Sequence, residues 1–112
     1  MKEPRSLTNR AQYTLVYRQG KVWSTSLLMM KAMPNTLNLS RYGFSVTKKV
    51  GKAVQRNRLR RLLREIMKQQ LLRPGWDIVF IVRSVAVNTD YHQLESSVTK
   101  LLTRAQLLES NE

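Results

Sequence analysis

Arginines recur every four residues in the middle of the chain, at Arg56, Arg60 and Arg64. In a helix, side chains four residues apart lie on one face, and Arg58 and Arg61 would flank this row. Like charges at this spacing repel one another in an isolated helix, so folding alone does not explain the row. Because a guanidinium group donates two parallel hydrogen bonds to phosphate, the pattern is typical of a site that binds a polyanion.

A lysine-rich loop precedes this row, with Lys48, Lys49 and Lys52 around Gly51. Glycine allows the chain to bend here, and the free N–H groups of the following helix add to its positive end. A solvated charged surface is the usual alternative for such a run, but it normally mixes both signs. Residues 48–64 contain eight Lys or Arg and no acidic residue, which favours an anionic partner.

The charge of the whole chain is concentrated in the same region. Residues 41–73 hold eleven Lys or Arg and one acidic residue, Glu65, so this third carries +10 of the net +13. Such asymmetry indicates a nucleic acid or an anionic membrane as partner. A membrane is disfavoured because the apolar stripe of the basic helix lacks Trp and Phe. No apolar run is long enough to span a membrane, and the segment around Glu3 and Pro4 is unlike a signal peptide.

The chain has no cysteine, which excludes disulfides and Cys-based metal sites and favours a cytoplasmic location. Its single histidine, His92, falls on the polar side of a helix without a partner for acid–base chemistry. The seven acidic residues are scattered, and no phosphate-binding glycine loop or nucleophile motif is present. We therefore predict no catalytic residue and no metal site in this chain, and we expect His92 to be dispensable.

Two tyrosines form a second candidate site. Tyr13, Val16 and Tyr17 share one face of a short helix, which suits either core packing or a stacking surface for unpaired bases. Ser45 and Thr47 form a small hydroxylated face on a predicted strand. That face suits the close approach of a nucleotide, although an ordinary solvent face has the same pattern.

Periodicity and turn residues predict the elements that position these side chains. Residues 1–7 form a poorly ordered basic arm, and a helix capped by Asn9 ends at Gln19 before Gly20. Strands at 24–32 and 41–47 flank a loop at 33–40 and pair as an antiparallel hairpin. The basic helix spans 53–72, a buried strand spans 77–82, and a last helix begins at Thr89 or Asp90 before a frayed tail at 110–112. The order α-β-β-α-β-α predicts one domain, residues 1–112, with a two-layer α+β sandwich.

The motif Arg56-Asn57-Arg58 lies in a longer frame that runs from Phe44 through Val54 to Arg64. In this frame the sequence resembles the bacterial ribonuclease P protein family. Leu7, Tyr13 and Tyr17 before Gly20, and Pro74-Gly75 with Asp77, extend the resemblance over nearly the whole chain. The resemblance implies a ribosomal-protein-S5-like fold with a left-handed βαβ crossover through the basic helix.

The resemblance also implies a function as the protein subunit of a ribonucleoprotein that removes the 5′ leader from precursor tRNA. Catalysis would belong to the RNA subunit, with Mg²⁺ held mainly by RNA, and no protein partner would be required. The implied contacts with the catalytic RNA are Lys48, Lys49, Lys52, Arg56, Asn57, Arg58, Arg60, Arg61 and Arg64. The implied leader cleft comprises Tyr13, Tyr17, Lys31, Ser45 and Thr47. Many members carry an aromatic residue where this chain has Met29-Met30-Lys31, so we expect Lys31 to contact phosphate instead.

Three other functions fit parts of the pattern. A structural RNA-binding module, such as a ribosome-associated protein, would use the same charge and aromatic residues. A stand-alone nuclease is disfavoured because acid–base and metal-ligand sets are missing. A helix-turn-helix DNA-binding protein is disfavoured because strands flank the single basic helix.

Overall fold

The computed structural model describes residues 3–109 and contains three α-helices and five strands. The helices are α1 (Arg10–Gln19), α2 (Ala53–Lys68) and α3 (Tyr91–Arg104). The strands are β1 (Arg5–Ser6), β2 (Lys21–Ser24), β3 (Leu28–Pro34), β4 (Arg41–Ser45) and β5 (Trp76–Val82). Two 3₁₀ turns, Lys48–Val50 and Ser84–Asn88, precede α2 and α3. The mixed α+β class is confirmed, whereas the predicted tail at 110–112 lies outside the described residues.

The five strands form one sheet in the order β1-β4-β5-β3-β2. β4 and β5 are parallel neighbours joined through α2, which is the βαβ unit that the resemblance implied. Its handedness stays a prediction. β3 pairs antiparallel with β5, so β5 lies between β3 and β4. The predicted hairpin of these two strands is therefore wrong, because β5 offers both of them a buried partner.

The strand predicted at 24–32 begins too early, because β3 starts at Leu28 after a turn, and the preceding strand β2 was not predicted. Lys21–Ser24 pairs antiparallel with Met29–Ala32. The Thr25 hydroxyl accepts hydrogen bonds from the N–H groups of Leu27 and Leu28, at 3.3 and 3.2 Å, and so fixes the turn. Ser24, Thr25 and Ser26 mark this turn in the sequence, because hydroxyl side chains bond nearby backbone groups and favour turns, but the strand prediction included them.

The N-terminal arm is ordered at its inner end, contrary to the prediction. Arg5–Ser6 adds to the sheet edge in parallel with Arg41 and Tyr42, and Leu7 is buried. Burial of Leu7 beneath α1 compensates for the conformational entropy lost by ordering these residues.

The helix caps follow the sequence closely. The Asn9 side chain accepts from the Gln12 N–H at 3.0 Å, and Asp90 caps α3 in a capping box with Gln93. α2 ends at Lys68, four residues before the predicted end at residue 72. The chain after it is extended instead, because Leu72 forms a bridge with Leu108 near the end of the described chain.

Helices cover both faces of the sheet, which adds a layer to the predicted two-layer sandwich. The main core joins α2 and α3 to Ile78, Phe80 and Val82 of β5. On the opposite face, α1 packs through Val16 against Val79, with Leu7 beside them. β4 therefore has α2 on one side of the sheet and α1 on the other.

Candidate nucleic-acid interface

The inner face of α2 is apolar and leaves its outer face to the cations. Leu59, Leu63, Ile66 and Met67 are buried in the main core, and Leu62 is partly buried. These five residues form the apolar stripe that the sequence predicts for the basic helix. Because the stripe holds α2 rigidly on the sheet, the charged side chains keep a defined orientation toward solvent.

Several cations of this region are exposed to solvent. Arg61 and Arg64 are exposed and form no hydrogen bond or ion pair with any other residue in the described range 3–109. Lys48, Lys49 and Lys52 are also exposed, in the 3₁₀ turn and at the start of α2. Asn57 is exposed beside them. A polyanion can reach all six of these exposed side chains, although Asn57 already accepts a hydrogen bond from Arg60.

The other three arginines of the predicted set are half-buried and donate to backbone carbonyls. Arg56 Nε donates to the Gly51 carbonyl at 3.2 Å, and Arg58 Nη2 donates to the Thr89 carbonyl at 2.9 Å. Arg60 Nη2 donates to the Val46 carbonyl at 3.2 Å, and its Nη1 donates to Asn57 Oδ1 at 3.1 Å. Since a guanidinium group has five N–H donors, each side chain keeps some of its donors for another partner.

The electrostatic environment of α2 is one-sided. Residues 4–64 contain fourteen Lys or Arg and no acidic residue. Within the part of the chain that the structure describes, the only ion pair joins Arg41 and Asp77, with Nη2 and Oδ2 2.6 Å apart. This hydrogen-bonded carboxylate raises the pKa of Arg41. α2 itself carries a single acidic residue, Glu65, and no cation of α2 forms an ion pair within residues 3–109.

The predicted cleft residues meet where α1 crosses the sheet. Tyr13 and Tyr17 both pack around Val16 and Val79, so part of each ring belongs to the smaller core. A Cβ on Gly43 of β4 would overlap the Tyr13 hydroxyl, so only glycine lets the ring lie this close to the strand. Burial raises the pKa of Tyr13, while a hydrogen bond with the Phe44 backbone, and the charge of Arg60 more weakly, oppose the rise.

The other three residues of the predicted cleft differ in burial and in hydrogen bonding. Lys31 Nζ donates to the Tyr17 carbonyl at 3.0 Å and lies 5.7 Å from the centre of the Tyr17 ring. The structure therefore ties Lys31 to α1, and its predicted phosphate contact stays a prediction. Ser45 is half-buried opposite Ile81, on the same face of the sheet as Gly43. Thr47 is exposed just before the first 3₁₀ turn.

Sequence reasoning missed two features of this cleft. Gly43 was not singled out, although a glycine inside a strand is a known sign of close backbone approach. The bond from Arg60 to Val46 had no sequence signal, because it joins residues of different elements.

The described residues were also compared with the requirements for acid–base chemistry, metal binding and membrane insertion. His92 is exposed in the first turn of α3, beside Tyr91. In residues 3–109, no three His, Cys, Asp or Glu side chains group closely enough to hold a metal ion. None of the helices in that range has the length and apolarity needed to cross a membrane.

Comparison with known sequences identifies one family. The family model described as Ribonuclease P matches residues 1–106. A ribonuclease P protein component from Dehalococcoides mccartyi is 47% identical over 108 residues, covering 96% of this chain and 90% of the relative. The corresponding protein of Caldanaerobacter subterraneus is 40% identical over 108 residues, covering 95% of this chain and 93% of the relative.

Solved structures agree with the sequence relatives. The RNase P protein from Thermotoga maritima superposes with a TM-score of 0.81 at 29% identity, covering 94% of this chain and 98% of that one. The Staphylococcus aureus RNase P protein superposes with a TM-score of 0.83 at 26% identity, covering 93% and 97%. The similarity thus extends over both the basic helix and the tyrosine cleft.

Proposed function

Because the chain belongs to the ribonuclease P protein component family, we propose that it binds the catalytic RNA of ribonuclease P and the 5′ leader of precursor tRNA. Family membership itself implies a role in tRNA 5′ processing, as part of an endoribonuclease complex with an RNA partner. The assignment of each surface to one RNA is the further step proposed here.

One observation supports this assignment most directly. The basic helix α2 and the tyrosine cleft lie on opposite faces of the sheet and share β4 as their common border. A polyanion on α2 and a single strand in the cleft can therefore be held at the same time, close to each other. A protein that served only as a structural RNA-binding module would not need two such sites that share one strand as their border.

The basic helix supplies electrostatic neutralisation. RNA phosphates repel one another when two RNA molecules meet, and Lys and Arg side chains offset that repulsion by displacing counterions. The exposed cations of α2 and of the preceding turn suit backbone phosphates rather than base edges. Such contacts position an RNA without reading its sequence.

The cleft suits a single-stranded RNA. Tyr13 and Tyr17 present ring faces on which bases can stack, and stacking tolerates any base. Ser45 and Thr47 add hydroxyl groups that donate to or accept from phosphate and sugar. This combination favours the single-stranded leader over the folded body of tRNA.

The reaction itself belongs, in this proposal, to the RNA subunit. The Mg²⁺ of the holoenzyme would be held mainly by RNA, whose phosphate oxygens are the hard ligands that this ion prefers. The chain's own residues bind and orient the two RNAs, which raises the local affinity of the assembly for metal. The proposal includes a cytoplasmic location and requires no further protein partner.

Reconstitution tests the proposal. Purified protein, the cognate RNA subunit and precursor tRNA are combined at low Mg²⁺, and cleavage at the mature 5′ end is followed with each component omitted in turn. We expect little cleavage by the RNA alone, none by the protein alone and rapid cleavage by both. Cleavage by the protein alone would indicate a stand-alone nuclease, and no stimulation would indicate a structural RNA-binding module.

A further inference from the structure

The edge of β4 that faces away from β5 is only partly covered by a neighbouring strand. β1 is only two residues long and pairs with Arg41 and Tyr42 alone. The Ser40 and Tyr42 carbonyls accept from the N–H groups of Arg5 and Leu7, at 3.0 and 2.9 Å. Beyond this point no strand among residues 3–109 pairs with the edge, although carbonyls two residues apart continue to point the same way.

Arg60 occupies the place that a neighbouring strand would take. Ser40, Tyr42, Phe44 and Val46 alternate along the chain, so the Val46 carbonyl faces the side that β1 leaves open. Arg60 Nη2 donates to this carbonyl at 3.2 Å. Asn57 Oδ1 accepts from Arg60 Nη1 at 3.1 Å, and these two anchors hold the guanidinium plane. Arg60 is half-buried, whereas Arg61 next to it is exposed.

This anchor lies at the border of the leader cleft of the proposed function. Ser45 and Thr47, the two cleft hydroxyls, are the neighbours of Val46 on either side. Tyr13 covers Gly43 on the same strand, so closely that a Cβ at Gly43 would overlap the Tyr13 hydroxyl. Arg60 and Tyr13 therefore hold one short stretch of β4 from two sides.

From this geometry we propose that Arg60 is a positioning residue of the leader cleft rather than a contact of the catalytic RNA. The inference rests on the proposed function and changes the role predicted for Arg60 from the sequence. Arg60 fixes the end of β4, and with it the hydroxyls of Ser45 and Thr47, in the position that a bound leader needs. Arg61 and Arg64 remain as the phosphate contacts of this helix.

Arg60→Met and Arg61→Met test the inference as a matched pair. Each removes one charge and five donors and keeps an unbranched side chain on adjacent positions of one helix. In the reconstituted holoenzyme, we expect Arg60→Met to lower the ratio of precursor-to-mature tRNA affinity by at least about threefold. The salt dependence of RNA-subunit binding should be unchanged. Arg61→Met should keep the ratio and flatten the log–log salt slope by about 0.9 unit, the value for one phosphate contact.

Arg60→Lys keeps the experiment decisive if Arg60→Met does not fold. A lysine retains the charge but lacks the planar fork whose two nitrogens bond Val46 and Asn57 separately, so a positioning role predicts about a twofold lower ratio with an unchanged slope. An unchanged ratio in Arg60→Lys, or equal slope changes in the two Met variants, would overturn the inference alone. Absence of RNA-dependent cleavage by the wild-type protein would overturn the proposed function as well.

Discussion

At the scale of single residues, the arginines of α2 divide into two groups according to their partners. Arg56, Arg58 and Arg60 donate to backbone carbonyls, and their positions are fixed by the protein itself. Arg61 and Arg64 have no such partner among the described residues and project into solvent. A charge that is fully hydrated in the free protein contributes mainly when counterions are released from RNA.

The double variant Arg61→Ala/Arg64→Ala should therefore flatten the salt dependence of RNA-subunit binding. Two lost phosphate contacts correspond to a change of about two units in the slope of log affinity against log salt. The measurement is a series of binding titrations from low to high salt. Lys100→Ala/Arg104→Ala on α3 removes the same charge and serves as control. Equal slopes for the two variants would remove Arg61 and Arg64 from the RNA interface.

Tyr17→Ala should weaken the binding of precursor tRNA by roughly tenfold or more and leave mature tRNA, which lacks the leader, almost unaffected. A base stacked on an aromatic ring is worth about 1–3 kcal/mol, which gives a loss of this size. Tyr17→Phe keeps the ring and should retain the preference. The readout is the ratio of the two affinities, together with a melting curve for each variant.

Core packing predicts a different result for Tyr17→Ala. Loss of a buried aromatic side chain costs about 3–5 kcal/mol of folding free energy and would impair both ligands together. A destabilised variant with an unaltered precursor-to-mature ratio would assign Tyr17 to the core.

At the scale of elements, β4 connects the two proposed sites and depends on β5 for its position. Arg41 on β4 and Asp77 on β5 are directly paired in the sheet and also form the ion pair between their side chains. The Asp77 side chain is 4% exposed, and it also accepts from Asn35 Nδ2 at 2.9 Å. The ion pair thus fixes the register of the two parallel strands near their N-terminal ends.

Arg41→Leu should lower the free energy of unfolding by about 3–5 kcal/mol, because it leaves a buried carboxylate without its cation. Adding Asp77→Asn removes that charge and should restore part of the loss. Urea unfolding of the wild type, the single variant and the double variant measures both effects. A double variant no more stable than Arg41→Leu would show that the buried charge is not the cause.

At the scale of the whole molecule, a net charge of +13 on 112 residues opposes folding. Acidic residues are absent from positions 4–64, so the repulsion is concentrated where the RNA would bind. Bound RNA would remove this repulsion, whereas the free protein must rely on salt to screen it.

The melting temperature of the free protein should rise as sodium chloride increases from 0.01 to 1 M. Over this range the screening length falls from about 30 to about 3 Å, so repulsion between neighbouring cations is largely removed. A gain of about 1 kcal/mol would raise the melting temperature by roughly 4–8 °C. Arg61→Ala/Arg64→Ala, with two fewer charges, should gain less. A melting temperature that does not depend on salt would show that self-repulsion is unimportant.

The sequence by itself determined the features that neighbouring residues encode. The caps at Asn9 and Asp90, the apolar stripe of α2 and the buried strand β5 each follow from residues within one or two turns of each other. The acid-free basic segment and the motif Arg56-Asn57-Arg58 were visible in the same way. They were enough to indicate an RNA partner and the family.

Only the tertiary structure decided which distant segments meet. β5 separates β3 from β4, and the arm at Arg5–Ser6 joins the sheet edge, because strand pairing depends on partners far apart in the chain. The anchoring of Arg60 on Val46 likewise required α2 to lie beside the open end of β4. Periodicity reports which face of a segment is buried, but it does not report the partner that buries it.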